Sequence, residues 1–272
     1  MRRSPYSEPA FPSHSRGEEV VHCLTLLLVV VTILLWVGPG PIGISPSQLG
    51  SESGRLSLGT APPPSNTPLF MVESGPDARY LRGAVGIVYD GEEWRLERIE
   101  GEYLEFVVYG GDGDLLLRPS EVARSHQDFP RDRLNEALVI DDARCLKLPE
   151  NISERVRELS LGITEDFATP FEKARAIEIY LRLHYTYDAD FAPAPSDREP
   201  NDWFLFESKE GVCGNFASAF VILARASGLP SRLGAGYFVA PGEGEQAVYE
   251  SQAHGWAEVG FEGSGWVVFD AT

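Results

Sequence analysis

Apolar and polar positions follow a different rule in each part of this chain. Residues 20–37 are almost uninterruptedly apolar, and no Asp, Glu, Lys or Arg occurs between Glu19 and Glu52. At a rise of 1.5 Å per residue this run of 18 makes a helix of roughly 27 Å, close to the ~30 Å hydrocarbon layer of a bilayer. A membrane span is therefore expected over 20–37. The Gly38-Pro39-Gly40-Pro41 that follows supplies no partner for a buried core helix; a signal peptide is the rival reading, against which stand the length of the run and the lack of a clear small-x-small cleavage site behind it. Residues 1–19, polar and rich in Pro and Ser, read as a disordered tail, and residues 38–68, with Pro62-Pro63-Pro64, read as an extended linker. Arg2, Arg3 and Arg16 precede the span and no Lys or Arg follows it until Arg55, which puts the N-terminus in the cytoplasm and the remainder outside.

From 69 to 148 the pattern is that of strands. Residues 79–89 form one long candidate that stops at Asp90-Gly91, and 103–109 alternates before halting at Gly110-Gly111-Asp112-Gly113-Asp114. That acidic loop lacks the glutamate a calcium loop needs, so it reads as a solvated turn. A small β-rich module is expected. At Pro149 the period lengthens. Residues 153–161 and 171–184 read as helices, the second with Thr169 as N-cap, Pro170 in the first turn, and Ala174, Ile177, Leu181 and His184 on one face. A loop rich in Pro and Asp (188–202) leads to a third helix over 213–226, where Phe216, Phe220, Leu223 and Ala224 mark a buried face and the first turn is expected to open onto a cleft. Strands follow at 231–239, 247–251, 254–261 and 266–270. The fold class is α+β, with helices packed on an antiparallel sheet.

Composition narrows the function. Residues 69–272 hold 19 basic and 37 acidic residues and so carry the whole net charge of −18, which repels phosphate backbones and argues against nucleic acid as a partner. Three cysteines are too few for a disulfide scaffold. Cys23 falls in the apolar run, and Cys145 and Cys213 are expected as free thiols.

Cys213 stands between two glycines at a helix start, where unpaired N–H groups and the helix dipole favour a thiolate; a small core cysteine is the plainer reading of the position. A thiolate nucleophile needs a base and a group to orient that base. His14 and His22 belong to the tail and span, His126 to a polar loop, and His184 to a helix end. His254 heads a strand 41 residues after Cys213, and Asp270 follows 16 residues later. The last two strands form a hairpin around Glu262-Gly263-Ser264-Gly265. His254 and Asp270 share a face only if paired residues have an even index sum. Pairing Phe261 with Gly265 satisfies this, whereas a two-residue turn at Gly263-Ser264 puts them on opposite faces.

Gly211-Val-Cys213 with Phe216-Ala217, Leu223-Ala-Arg225 with Gly228-Leu-Pro230, Gly236-Tyr237, Ala253-His254-x-Trp256-x-Glu258 and Gly265-Trp266 with Phe269-Asp270-x-Thr272 together resemble the transglutaminase-like core. The resemblance runs from about residue 149 to 272. It implies a papain-like α+β fold with Cys213 as nucleophile, His254 as general base and acid, and Asp270 as the group orienting the histidine. The Cys-to-His separation is far too short for papain itself. Tyr80-Leu-Arg-Gly83 and Tyr89-Asp-Gly-x-x-Trp94 are similar to the extracytoplasmic region preceding that core in bacterial membrane-anchored relatives. Such relatives often have Pro where Ala271 stands and Ala where Gly255 stands, neither a reacting position. They also usually continue into a further membrane segment, so a truncated product with a frayed last strand is expected. The resemblance implies a thioester formed on a peptide or carboxamide bond of a protein substrate; the oxyanion would face the Cys213 N–H and one further donor, for which Trp203, equally readable as a core tryptophan, and Gln252 are the candidates. No cofactor and no metal-site residue is read, and calcium dependence stays open, as does the choice between hydrolysis and cross-linking. The competing class is a membrane-anchored module that keeps the fold for binding or structure without catalysis.

Overall fold

In the computed structural model residues 54–59, 61, 66–73, 75, 77, 79–99, 107–109 and 119–272 are described. The expected tail, membrane span, acidic loop and most of the linker lie outside them, as does residue 23. Among the described residues no helix is long and apolar enough to cross a membrane.

The centre of the fold is the long strand read at 79–89. Strand β3 (Arg79–Tyr89) ends where Asp90 Oδ1 accepts the N–H groups of Glu92 and Glu93 at 3.0 and 2.8 Å. The chain turns back there into β4 (Glu93–Arg98), with Gly91 at φ 101°, a value open to glycine. Beyond β4 lies β1 (Arg55–Ser57). Part of the expected linker is thus sheet. Leu56 and Leu58 alternate with polar neighbours and both are buried, a short period-2 signal hidden in a Gly- and Ser-rich stretch.

The remaining strands of this sheet are β6 (Glu121–Ser125), β9 (Ser231–Val239), β11 (Ala253–Phe261) and β12 (Gly265–Phe269). Seven strands run in the order β1-β4-β3-β6-β12-β11-β9, and β9 pairs back onto β3, so β3, β6, β12, β11 and β9 close on themselves. Two expectations are corrected. Residues 69–148 are not a module apart from 149–272, because β3 and β6 share this sheet with β9, β11 and β12. Nor is the sheet wholly antiparallel: β12 pairs with β6 in parallel. A second, three-stranded sheet joins β2 (Pro68–Glu73), β5 (Val107–Tyr109) and β10 (Glu245–Tyr249), so the strand expected at 247–251 leaves the terminal meander for this sheet, and β7 (Thr186–Tyr187) pairs with β8 (Glu210–Gly211) as a two-stranded sheet. The last strand is not frayed; β12 is paired along its whole length with β11.

The helices are α1 (Arg131–Glu136), α2 (Glu154–Thr164), α3 (Pro170–His184) and α4 (Cys213–Ala226), with a helical turn at Pro200–Trp203 and a wider one at Phe204–Ser208 before α4. α3 opens on the expected cap: the Thr169 hydroxyl accepts the Glu172 N–H at 3.1 Å, and Glu172 accepts the Thr169 N–H in return. Ala174, Ile177 and Leu181 are buried, while His184 is exposed with its ring stacked on Tyr180 at 4.2 Å.

α4 differs most from expectation. Every residue in it except Ala226 is buried, because it packs on β9 and β11 on one side and against α2 and α3 on the other. Phe216, Phe220, Val221, Ile222 and Leu223 cover more than one face, the composition of a central helix and not of an amphipathic one. Arg225, near its end, is buried and donates to the carbonyls of Ser231, Lys147 and Ile87, tying α4 to β9 and β3.

Candidate active site

The β11–β12 hairpin sets the geometry. Its register pairs Phe261 with Gly265, so Ala257 meets Phe269 and the face carrying His254 and Trp256 also carries Val268 and Asp270. The three-residue connection this requires, Glu262 to Ser264, has Gly263 at φ 71°, and the first residue of β12, Gly265, is at φ 75°. His254 Nε2 donates to Asp270 Oδ2 at 2.7 Å. Across β9 the same face carries small residues where bulk is needed opposite: His254 pairs with Gly236 and Trp256 with Gly234. A Cβ on Gly236 would collide with the Leu81 carbonyl of β3, so only glycine lets β3 and β9 approach this closely behind the imidazole.

Cys213 is the first residue of α4. Asn215 Oδ1 accepts the Val212 N–H at 3.0 Å, and its Nδ2 donates to the Leu58 carbonyl at 3.0 Å, pinning the helix start to the segment after β1. Both Cys213 and Cys145 are free thiols. The expected opening of this turn onto a cleft is not seen: Cys213 is 0% exposed and His254 3%. The reason is the all-round packing of α4, with Leu58 lying over Gly214.

Burial works against a charged imidazole, but the Asp270 carboxylate and its hydrogen bond outweigh it. With a further contribution from Cys213, they lift His254 to about 10. Asp270 moves the other way. Burial would raise it, yet His254 and two hydrogen bonds from Thr272, N–H at 3.2 Å and Oγ1 at 2.8 Å, bring it down to about 2. His254 Nδ1 is buried without a hydrogen-bond partner of ordinary geometry among the described residues, and Cys213 lies close enough to act on the ring's charge. His254 and Asp270 thus form a hydrogen-bonded pair that favours a charged imidazole, with Cys213 near the ring.

Residues outside the expected set complete it. The Tyr80 hydroxyl of β3 donates to Asp270 Oδ2 at 3.0 Å. The Asp270 N–H donates to Glu178 Oε1 of α3 at 3.2 Å, and Glu178 is itself held by Arg175. His126, read as part of a polar loop, stacks on Phe269 at 5.2 Å and is kept neutral, down to about 4, by burial and by Arg175 and Arg182. Below His254 the Trp256 indole donates to Glu258 Oε1 at 2.9 Å; Glu258 is buried and paired with Arg82 and Arg232. The Ala-His-x-Trp-x-Glu spacing contains that ladder, but nothing local in the sequence links Tyr80 or Glu178 to residues 190 and 92 positions away.

Of the two side chains considered for an oxyanion, Trp203 lies in the turn before α4 with its indole N–H buried and unpartnered among the described residues. Gln252 is not available. Its Oε1 accepts the Tyr249 N–H at 2.8 Å and its Nε2 lies 3.4 Å from the Phe238 carbonyl, so its amide staples the turn between β10 and β11.

The model of the transglutaminase-like superfamily core matches residues 157–271. An uncharacterized protein of Bacillus subtilis, YebA, is 39% identical over 138 residues, covering 47% of this chain and 19% of that protein. A protein-glutamine gamma-glutamyltransferase of Pseudomonas aeruginosa is 29% identical over 133 residues, covering 47% of this chain and 20% of that protein. The chain therefore spans about a fifth of the length of these relatives. The crystal structure of the periplasmic domain of TgpA from Pseudomonas aeruginosa superposes with a TM-score of 0.54 at 18% identity, over 76% of this chain and 88% of that one, a likeness of fold.

Proposed function

We propose, from the match of residues 157–271 to the transglutaminase-like superfamily core, that the protein is a membrane-anchored, extracytoplasmic thiol enzyme acting on carboxamide or peptide bonds of protein substrates. The observation that carries the reading is the hairpin register that holds His254 against Asp270 at 2.7 Å with Cys213 at the ring's other side. The Cys213 sulfur attacks the carbonyl carbon of a glutamine-type carboxamide. The oxygen takes up negative charge facing the Cys213 N–H and the free indole N–H of Trp203. The His254 imidazolium hands its proton to the departing nitrogen, leaving a thioester and a neutral imidazole. That imidazole then removes a proton from water or a primary amine, which attacks the thioester and releases an acid or a new amide with Cys213 restored. Asp270 keeps the ring oriented and supports its charge in both halves of the cycle.

The Pseudomonas relative's name supports carboxamide transfer, and the periplasmic domain with the same fold supports a site outside the cytoplasm. A non-catalytic module draws support from the complete burial of Cys213, whereas His254 and Asp270 on opposite faces, which would have favoured it, are not found. The test is incubation of the full chain with a pool of glutamine-containing peptides, with and without a primary amine, read by mass spectrometry. Deamidated, cleaved or amine-bearing peptides formed by the wild type and absent with Cys213→Ala support the proposal; no Cys213-dependent product overturns it.

A further inference from the structure

We infer that Tyr80, supplied by β3 from outside residues 157–271, is a positioning residue for the Asp270–His254 pair. Its hydroxyl donates to the same Oδ2 that accepts from His254. The inference rests on the thiol-enzyme reading above.

The Asp270 carboxylate is held at both oxygens. Oδ1 takes the N–H and hydroxyl of Thr272, and Oδ2 takes His254 and Tyr80. Without Tyr80 the oxygen facing the imidazole has one donor, and the carboxylate keeps less of the geometry that sets the ring. The phenol cannot drift from this place. β3 is paired at Tyr80 with both Ala123 of β6 and Phe238 of β9. Its ring also packs on Phe238 at 5.1 Å and Trp256 at 5.2 Å, and stacks on His254 at 6.3 Å. Burial and the neighbouring carboxylate push the phenol above its ordinary range, so it stays a donor wherever the enzyme works.

An electrostatic consequence follows. A second donor on Oδ2 draws off part of the charge that His254 feels, so Tyr80 tempers the basicity of the imidazole. The other titratable or charged groups around the pair are Cys213 of α4, Glu178 and Arg182 of α3, Asp128 of the turn after β6, and Glu258 reached through the Trp256 indole. Removing one hydroxyl leaves all of these in place.

Tyr80→Phe keeps the ring and its packing while deleting the donor. The measurement is the pH profile of Cys213 alkylation by iodoacetamide in the full chain, with thermal melting as the control for folding. The expected result is a plateau rate lower by about tenfold, the scale of one hydrogen bond to a charged group. The basic limb should move to higher pH, with melting close to wild type. A profile that overlays the wild type, whether or not melting changes, overturns the inference and leaves Tyr80 a packing residue. If the wild type shows no Cys213-dependent alkylation, the thiol-enzyme reading fails separately. The inference is then read from the ¹⁵N NMR titration of His254: an upward shift in Tyr80→Phe supports it and coincident curves overturn it.

Discussion

At the scale of single residues, the site is a buried proton set whose charge state is coupled to stability. His254 is raised from 6.5 to about 10 in the fold. The stability it contributes is therefore fully present below its unfolded value and is lost as pH rises through about 10. Asp270 is lowered from 3.8 to about 2, so its contribution is present above 3.8 and lost as pH falls through about 2. Both shifts report one interaction. Urea denaturation of the wild type against His254→Gln should show the largest difference between pH 4 and 6.5, shrinking steadily towards pH 10; a difference independent of pH would show that the pair is not charged in the fold. The pairing of His254 with Asp270 was legible from hairpin parity and the spacing of the two residues. Tyr80 was not, because its contribution depends on β3 pairing between β6 and β9, a contact across 190 positions that no local pattern encodes.

Among elements, two of the corrections have one physical source. The pattern predicts an amphipathic α4 and a linker around Leu56, since periodicity tells which residues are apolar but not how many neighbours an element will have. Leu58 in fact lies on the start of α4. The hairpin was readable in more detail, since parity alone separates a register that joins His254 to Asp270 from one that parts them, and the Phe261–Gly265 pairing is the joining one. The strand opposite carries its own constraint at Gly236. Replacing it by Ala forces β3 and β9 apart beside His254 and is expected to cost roughly 2–3 kcal/mol, the range of overpacked cores. Gly162→Ala, on the exposed side of α2 where an added methyl meets no atom within 4 Å, should instead stabilise by about 0.5–1 kcal/mol. Equilibrium denaturation of both variants checks the contrast, and equal effects would refute the close-approach argument.

For the whole molecule, the division at residue 148 was drawn where the period changes from strand to helix, yet the sheet crosses it. β3 pairs with β9, and β6 with β12. A chain begun at residue 149 would expose the edges of β9 and β12 and lose Tyr80 and Arg82 from the site. It should lack near-ultraviolet circular dichroism and aggregate, and cooperative unfolding of that shorter chain would contradict a shared core. The net charge of −18 belongs to this body and sets its solubility, while the chemistry sits in a few neutralised groups inside it. The proposed mechanism predicts different reactivity for two buried thiols of the same chain. Cys145 is 0% exposed like Cys213, and burial with Asp142 nearby pushes it up to about 11. The most direct measurement compares iodoacetamide alkylation of the two, peptide by peptide, near neutral pH in the wild type and in His254→Gln. Cys213 should react at least tenfold faster than Cys145 and lose that advantage in the variant. Equal rates, or a Cys213 rate indifferent to His254, would contradict a thiol activated by this site.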